Sequence, residues 1–187
     1  MTVLYFGPRW AVTGVASLPP HWIPILIALA LILVANATPA LLGLLLGPAR
    51  PIDGRHLGVD HHPWLGASKT WRGLFAALLT TPLLALALGV PWWLGLEVAA
   101  GAMLGDLLAS FIKRRIGLAS STSVPLLDQL PESLIPAVLA RDGLQLAWPD
   151  VAVLVASFTV LDLVLTPLGK GLARLWRRLS SPRAGGP

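Results

Sequence analysis

Long apolar runs separated by short charged stretches set the pattern of this chain. Five runs approach the ~20 helical residues that a ~30 Å hydrocarbon core requires. They extend from Trp22 to about Leu46, Gly73 to about Leu88, Trp92 to about Phe111, Val124 to about Ala140, and Val151 to about Leu168. The second and fourth are short for a span. No internal repeat, low-complexity tract or soluble domain interrupts them. One membrane domain over residues 1–179 is therefore expected, with a disordered tail at 180–187. Ile23 to Val34 followed by Ala35-Asn36-Ala37 imitates a signal peptide with a small-residue cleavage site. Arg9 lies far upstream and the apolar run resumes at Ala40, so an uncleaved span interrupted at Pro39 is expected instead. Pro39 would free the Ala35 carbonyl from its helical bond. Asn36 and Thr38 stand where they can satisfy polar backbone.

Composition strengthens this picture. Of 187 residues, 55% are apolar and 12% charged, where soluble domains carry about 25% charged residues. Mean hydropathy is +0.73. A soluble domain of this size could not hide so much apolar surface, so the fold class is all-α, a polytopic transmembrane protein with about five spans. The absence of cysteine excludes disulfides, thiolate metal sites and cysteine nucleophiles. The net charge of +5 would raise nucleic acid as a partner of a soluble protein. Here the basic residues serve better as topology markers, and no nucleic-acid partner is expected. Arg50, Arg55, Lys69 and Arg72 precede the second run, and Lys113, Arg114 and Arg115 follow the third. Lys170, Arg174, Arg177, Arg178 and Arg183 follow the fifth. These are twelve of the fourteen Lys and Arg residues, all on one side, with only Arg9 and Arg141 on the other. The larger group should be cytoplasmic, which puts the N-terminus outside and the C-terminus inside. Trp92, Trp93 and Trp148 fall at the outer span ends, where an aromatic belt belongs.

An ionisable group at membrane depth is costly and is a functional candidate by default. Asp106 opens the stretch Gly105-Asp106 to Ser110-Phe111-Ile112-Lys113-Arg114-Arg115. Helical spacing puts Asp106, Ser110 and Lys113 on one stripe. An acid, a hydroxyl and a cation there could hold a metal ion and a phosphate, or the acid could simply pair with Lys113 or an arginine. Asp128 begins the fourth run, where it could be an N-cap, with Pro131 tolerated in the first turn. Glu132 lies one turn on, so both carboxylates could face one point and suit Mg²⁺. Gly66-Ala67-Ser68-Lys69-Thr70-Trp71-Arg72-Gly73 before a helix suggests phosphate binding. It fails as a P-loop, because Ser68 and Pro63 stand where glycines are needed. His56, His61 and His62 fit no zinc spacing. Trp71 could stack on a base or sit at the interface. Glu97 and Asp162 are weaker candidates, Asp162 as a bond to a neighbouring helix.

These blocks, in this order, resemble the CDP-archaeol synthases, integral membrane CTP-dependent cytidylyltransferases related to phosphatidate cytidylyltransferase. The resemblance runs through Asn36-Ala37-Thr38-Pro39, Pro51-Ile52-Asp53-Gly54 and Lys69-Thr70-Trp71-Arg72-Gly73. It continues through Gly105-Asp106 with Ser110 to Arg115, and ends at Asp128-Gln129-Leu130. It implies a reaction of CTP with a membrane lipid phosphate, giving CDP-lipid and pyrophosphate, with Mg²⁺ as cofactor. It implies Asp106 and Asp128 as metal ligands; Glu132 is the candidate third ligand in place of the acid absent at Pro131, and Asp106, Asp128 and Lys113 are the expected catalytic residues. Lys69, Arg72, Lys113 and Arg114 are the expected phosphate-binding residues, with Asn36, Asp53, Thr70 and Ser110 as further substrate-binding candidates. The chemistry would take place at the cytoplasmic face of the cell membrane. The sequence departs from the family pattern in three places. Pro131, beside Glu132, replaces a second acid, Arg55 replaces a common glycine, and His61 and His62 replace basic residues. The competing expectation is a non-catalytic membrane protein of the same fold that binds anionic lipid through its basic loops. A transporter ranks lower, because no paired inverted halves are visible.

Overall fold

The computed structural model describes residues 22–120 and 122–180. Arg9, Arg183 and the tail at 181–187 lie outside the described residues, as do the side chains of Lys170, Arg174, Arg177 and Arg178. The protein is all-α. Its helices are α1 (Trp22–Leu46), α2 (Trp71–Ala87), α3 (Trp92–Arg115), α4 (Gln129–Leu139) and α5 (Trp148–Ser180). Among the described residues only two isolated β-bridges occur, Pro51 with Thr70 and Leu57 with Pro63.

On α1 the buried positions are Pro24, Ile25, Ile27, Ala28, Leu31, Ile32 and Ala35, a stripe with helical period. Ile25, Ile27, Ala28, Leu31 and Ile32 join Val90, Leu94, Val98, Leu144, Leu154 and Phe158 in the main core, while Ala35 packs with Ala77, Ala102 and Met103 in a second cluster. Helix α3 touches α1, α2 and α4. Its buried face is built from small residues, among them Gly95, Ala99, Gly101, Ala102, Gly105 and Ala109. Lipid offers no hydrophobic drive for helices to associate, so close backbone packing must do it. Here glycine on one helix meets proline on the next. A Cβ on Gly73 would fall 2.9 Å from Pro39, one on Gly95 2.7 Å from Pro82, and one on Gly101 2.8 Å from Pro136. The tightest contact is Gly105, where a Cβ would lie 2.2 Å from the Pro131 carbonyl oxygen. Leu26, Leu79, Leu83, Val160 and Leu163 face outward and exposed, a surface that hydrocarbon covers.

Among the described residues three helices are long and apolar enough to cross a membrane: α1, α3 and the Trp148–Gly169 part of α5. Helix α2 is apolar but has 17 residues. The fourth expected span is much shorter than its apolar run. Helix α4 has 11 residues, about 16 Å at the usual rise of ~1.5 Å per residue. Residues 125–128 are turns instead of helix, and 124 is irregular, because Leu126 is left-handed (φ 66°) and the polar side chains of Asp128 and Gln129 take up the local N–H groups. At Pro39 the side chains of Asn36 and Thr38 do bond backbone, but one turn back from themselves. Asn36 donates to the Ile32 carbonyl (3.1 Å) and Thr38 to that of Val34 (2.8 Å).

Candidate active site

The chain packs its helices so that the end of α3 meets the loop before α2 and the start of α4. The 47–70 loop is closed by Ile52 N–H donating to Lys69 (2.8 Å) and Trp71 N–H to Arg50 (3.2 Å). Asp53 ties it internally. One carboxylate oxygen accepts from Arg55 N–H (3.0 Å), the other from Leu65 (3.0 Å) and Gly66 (2.8 Å). Burial pushes its carboxyl up, but these backbone N–H groups pull it net below the usual carboxylate value. Arg115 clamps the next turn, donating to Asp60 (2.8 Å) and to the carbonyls of His62 (3.2 Å) and Pro63 (2.8 Å). Gly66 must be glycine: its φ is +94°, and a Cβ would fall 2.8 Å from Ser120 Oγ.

This framework carries two acid–base pairs. Lys69 Nζ, from the loop, bonds Asp106 on α3. Lys113 Nζ, two turns further along α3, forms an ion pair with Asp128 Oδ1 (2.6 Å) and donates to the Thr122 carbonyl (3.0 Å). The other Asp128 oxygen accepts from Val124 N–H (3.0 Å). Glu132 lies against Asp106 and within the field of Lys69 and Asp128. The Gly105–Pro131 contact brings it there, since Gly105 precedes Asp106 and Pro131 precedes Glu132. Arg114 is 3% exposed, yet its Nε has no hydrogen-bond partner and its guanidinium forms no ion pair among the described residues. Ser110, also buried, shares this end of α3.

The expected site residues thus divide. Asp106, Glu132, Lys69, Asp128, Lys113, Arg114 and Ser110 gather at one end of the bundle. Asp106 pairs with Lys69, and not with Lys113 on its own helix. Thr70 caps α2, its Oγ1 accepting from Gly73 N–H (3.2 Å). Arg72 donates to the carbonyls of Leu42 (3.3 Å) and Gly47, closing the end of α1. Asn36 and Asp53 are engaged with backbone. Trp71 stacks on Phe75 at 5.8 Å. The three acids expected as metal ligands do not converge: among the described residues no group of three or more such side chains could hold a metal. Gln129 was visible only as the neighbour of Asp128. It is 1% exposed, accepts from Leu126 N–H (2.7 Å) and donates to Asp162 on α5 (2.7 Å).

Comparison with known proteins identifies the family. The sequence profile of the CarS-like family, CDP-archaeol synthase, matches residues 85–170. The CDP-archaeol synthase of Hyperthermus butylicus is 41% identical over 104 residues, spanning 52% of this chain and 60% of that protein's length. That of Natronomonas pharaonis is 38% identical over 151 residues, spanning 66% of this chain and 77% of its own. A solved intramembrane enzyme for archaeal membrane lipids biosynthesis is similar at a TM-score of 0.63 and 30% identity, over 75% of this chain and 91% of that one. Fold and site together define an all-helical membrane protein with a charged site at one end of its bundle. The chain belongs to the CDP-archaeol synthase family.

Proposed function

We propose that this protein transfers a cytidylyl group from CTP to a membrane lipid phosphate, at the cytoplasmic face of the cell membrane. A lipid phosphate oxygen attacks the α-phosphorus of CTP. The bond between α- and β-phosphates breaks, and pyrophosphate leaves. Such transfer needs little covalent chemistry from the protein and much positioning and positive charge. The observation that carries the reading is the meeting of two lysine–aspartate pairs and a buried, ion-pair-free Arg114 at one end of an intramembrane bundle. Removing one partner of a buried pair costs about 3–5 kcal/mol. A triphosphate with its cation brings both signs of charge at once, so each lysine and each carboxylate can exchange its partner without being stranded.

The donor set fits Mg²⁺. That ion uses one or two carboxylates and takes other ligands from phosphates and water. Asp106 and Glu132 stand together, with Asp128 in electrostatic range of Glu132, and no all-protein cage is present among the described residues. When bound, the ion would neutralise charge on the phosphates. Glu132 then supplies the acid that Pro131 does not. Arg114, Lys69 and Lys113 would hold phosphates, and Ser110 would donate a hydroxyl. The relatives' name, CDP-archaeol synthase, favours an archaeal-type ether lipid phosphate over phosphatidic acid.

Purified protein in detergent with Mg²⁺ and labelled CTP should form labelled CDP-lipid from one of these two lipid phosphates. Asp106→Asn should abolish it. Folded wild-type protein that makes no product from either lipid would overturn the reading in favour of an anionic-lipid-binding role.

A further inference from the structure

Asp162 is an acid within α5, and membrane interiors tolerate such a residue only with partners. Its partners lead back to the site. Asp162 Oδ2 accepts from Gln129 Nε2 (2.7 Å), and Oδ1 accepts from Thr166 on its own helix (2.8 Å). The amide of Gln129 is thereby oriented, and its Oε1 takes the N–H of Leu126 (2.7 Å). Leu126 has φ 66°, a conformation that a side chain disfavours and that persists only when surroundings impose it. That turn in turn delivers Asp128, which binds Val124 N–H through one oxygen and Lys113 through the other. Ser133 Oγ, one turn on, donates to the Gln129 carbonyl (2.7 Å), so the first turn of α4 is bonded on both sides of Gln129. Helix α5 thus reaches the charged site through one buried side chain.

We propose that Asp162 is a positioning residue: through Gln129 it holds the 124–128 turn in the shape that keeps Asp128 facing Lys113 in the charged site. The role in catalysis rests on the cytidylyl-transfer reading, whereas the role in shaping the turn does not. The test separates them. Asp162→Leu removes the acceptor, Asp162→Asn keeps an acceptor oxygen in place, and Asp162→Ser stays polar but is too short to reach Gln129. Amide hydrogen exchange in detergent should show the Leu126 and Val124 amides losing at least ten-fold protection in Asp162→Leu and keeping it in Asp162→Asn. In the CDP-lipid assay, Asp162→Leu should lower kcat at least ten-fold and raise the Mg²⁺ concentration for half-maximal rate, with KM for the lipid little changed. Asp162→Asn should restore both. Asp162→Ser carries the same expectations if Asp162→Leu does not fold. A folded Leu or Ser variant with wild-type exchange at Leu126 overturns the proposal. So does a kcat and Mg²⁺ dependence equal to wild type in an active enzyme. Wild-type protein without activity would instead overturn the functional reading and leave the exchange result to decide the shape of the turn.

Discussion

An arginine that is 3% exposed must find negative charge, and Arg114 has no ion pair among the described residues. Asp128 acts on it through the field without contact. A phosphate oxygen pair matches the planar fork of arginine, and lysine cannot reproduce that geometry. Hydrogen bonds to charged groups contribute about 1.5–3 kcal/mol. Arg114→Lys should therefore lower kcat/KM by roughly 10- to 100-fold in the CDP-lipid assay. Arg72 makes the useful contrast. Its guanidinium already serves the carbonyls of Leu42 and Gly47, so Arg72→Lys should lower the thermal midpoint while lowering kcat/KM by less than Arg114→Lys does. Asp53 gives a prediction in pH. Burial alone would raise its carboxyl, but the N–H groups of Gly66, Leu65 and Arg55 outweigh this and lower it. A carboxyl lowered by folding stabilises the folded loop above its unfolded value, and that contribution disappears as pH falls through the folded value. The Leu65 and Gly66 amides should keep their exchange protection at neutral pH and lose it below about pH 4. Asp53→Asn should remove that acid-dependent loss.

Among elements, the α3–α4 contact governs the site. Gly105 lets the α3 backbone lie on the first turn of α4, and a Cβ there would meet the Pro131 carbonyl oxygen at 2.2 Å and the Glu132 nitrogen at 2.7 Å. Backbone atoms cannot rotate away, so the helices would have to part, and overpacking of this kind costs about 1–3 kcal/mol. Gly105→Ala should lower both the thermal midpoint and the activity, since Asp106 and Glu132 ride on the two surfaces being separated. Gly43→Ala is the control, because nothing lies within 4 Å of its Cβ position. Its midpoint should rise or stay unchanged. The same contact marks the limit of what periodicity reveals. Helices α1 and α3 follow their apolar runs closely, because span length and burial impose the same pattern. Helix α4 does not, because Val124-Pro125-Leu126-Leu127 is apolar in letters yet forms a turn held by Asp128 and Gln129 side chains. The stripe Asp106, Ser110, Lys113 is legible from helical spacing. The choice of Lys69 for Asp106 and of Asp128 for Lys113 is not, because those partners come from the 47–70 loop and from α4 and are fixed by packing.

Across the whole molecule, most of the described basic side chains gather at one end of the bundle, and Trp92, Trp93 and Trp148 lie at the other. Arg114 and Arg115 lie against the 47–70 loop and Lys113 against Asp128, which gathers these basic residues at one end. At the other end Gly143 lies on Trp93 and Leu94, and Arg141 sits 4.8 Å over the ring of Trp148. Trp92, Trp93 and Trp148 are exposed there, as residues at a membrane–water boundary are. A basic excess at one end is what insertion retains on the cytoplasmic side, and soluble CTP would be met there. The orientation is open to direct measurement, because the chain has no cysteine to remove. Two positions suit a single introduced thiol. His61 is exposed at the tip of the 47–70 loop, and Asp142, whose side chain is 92% exposed, lies beside Arg141 at the opposite end. In intact cells, a membrane-impermeant maleimide should label Asp142→Cys. It should reach His61→Cys only after the membrane is opened. The reverse pattern would put the charged end outside, away from CTP, and would refute the cytoplasmic site even if the purified enzyme were active. Labelling at both positions in intact cells would mean that the two ends do not lie on opposite sides of the bilayer, and that the charge asymmetry does not set the topology.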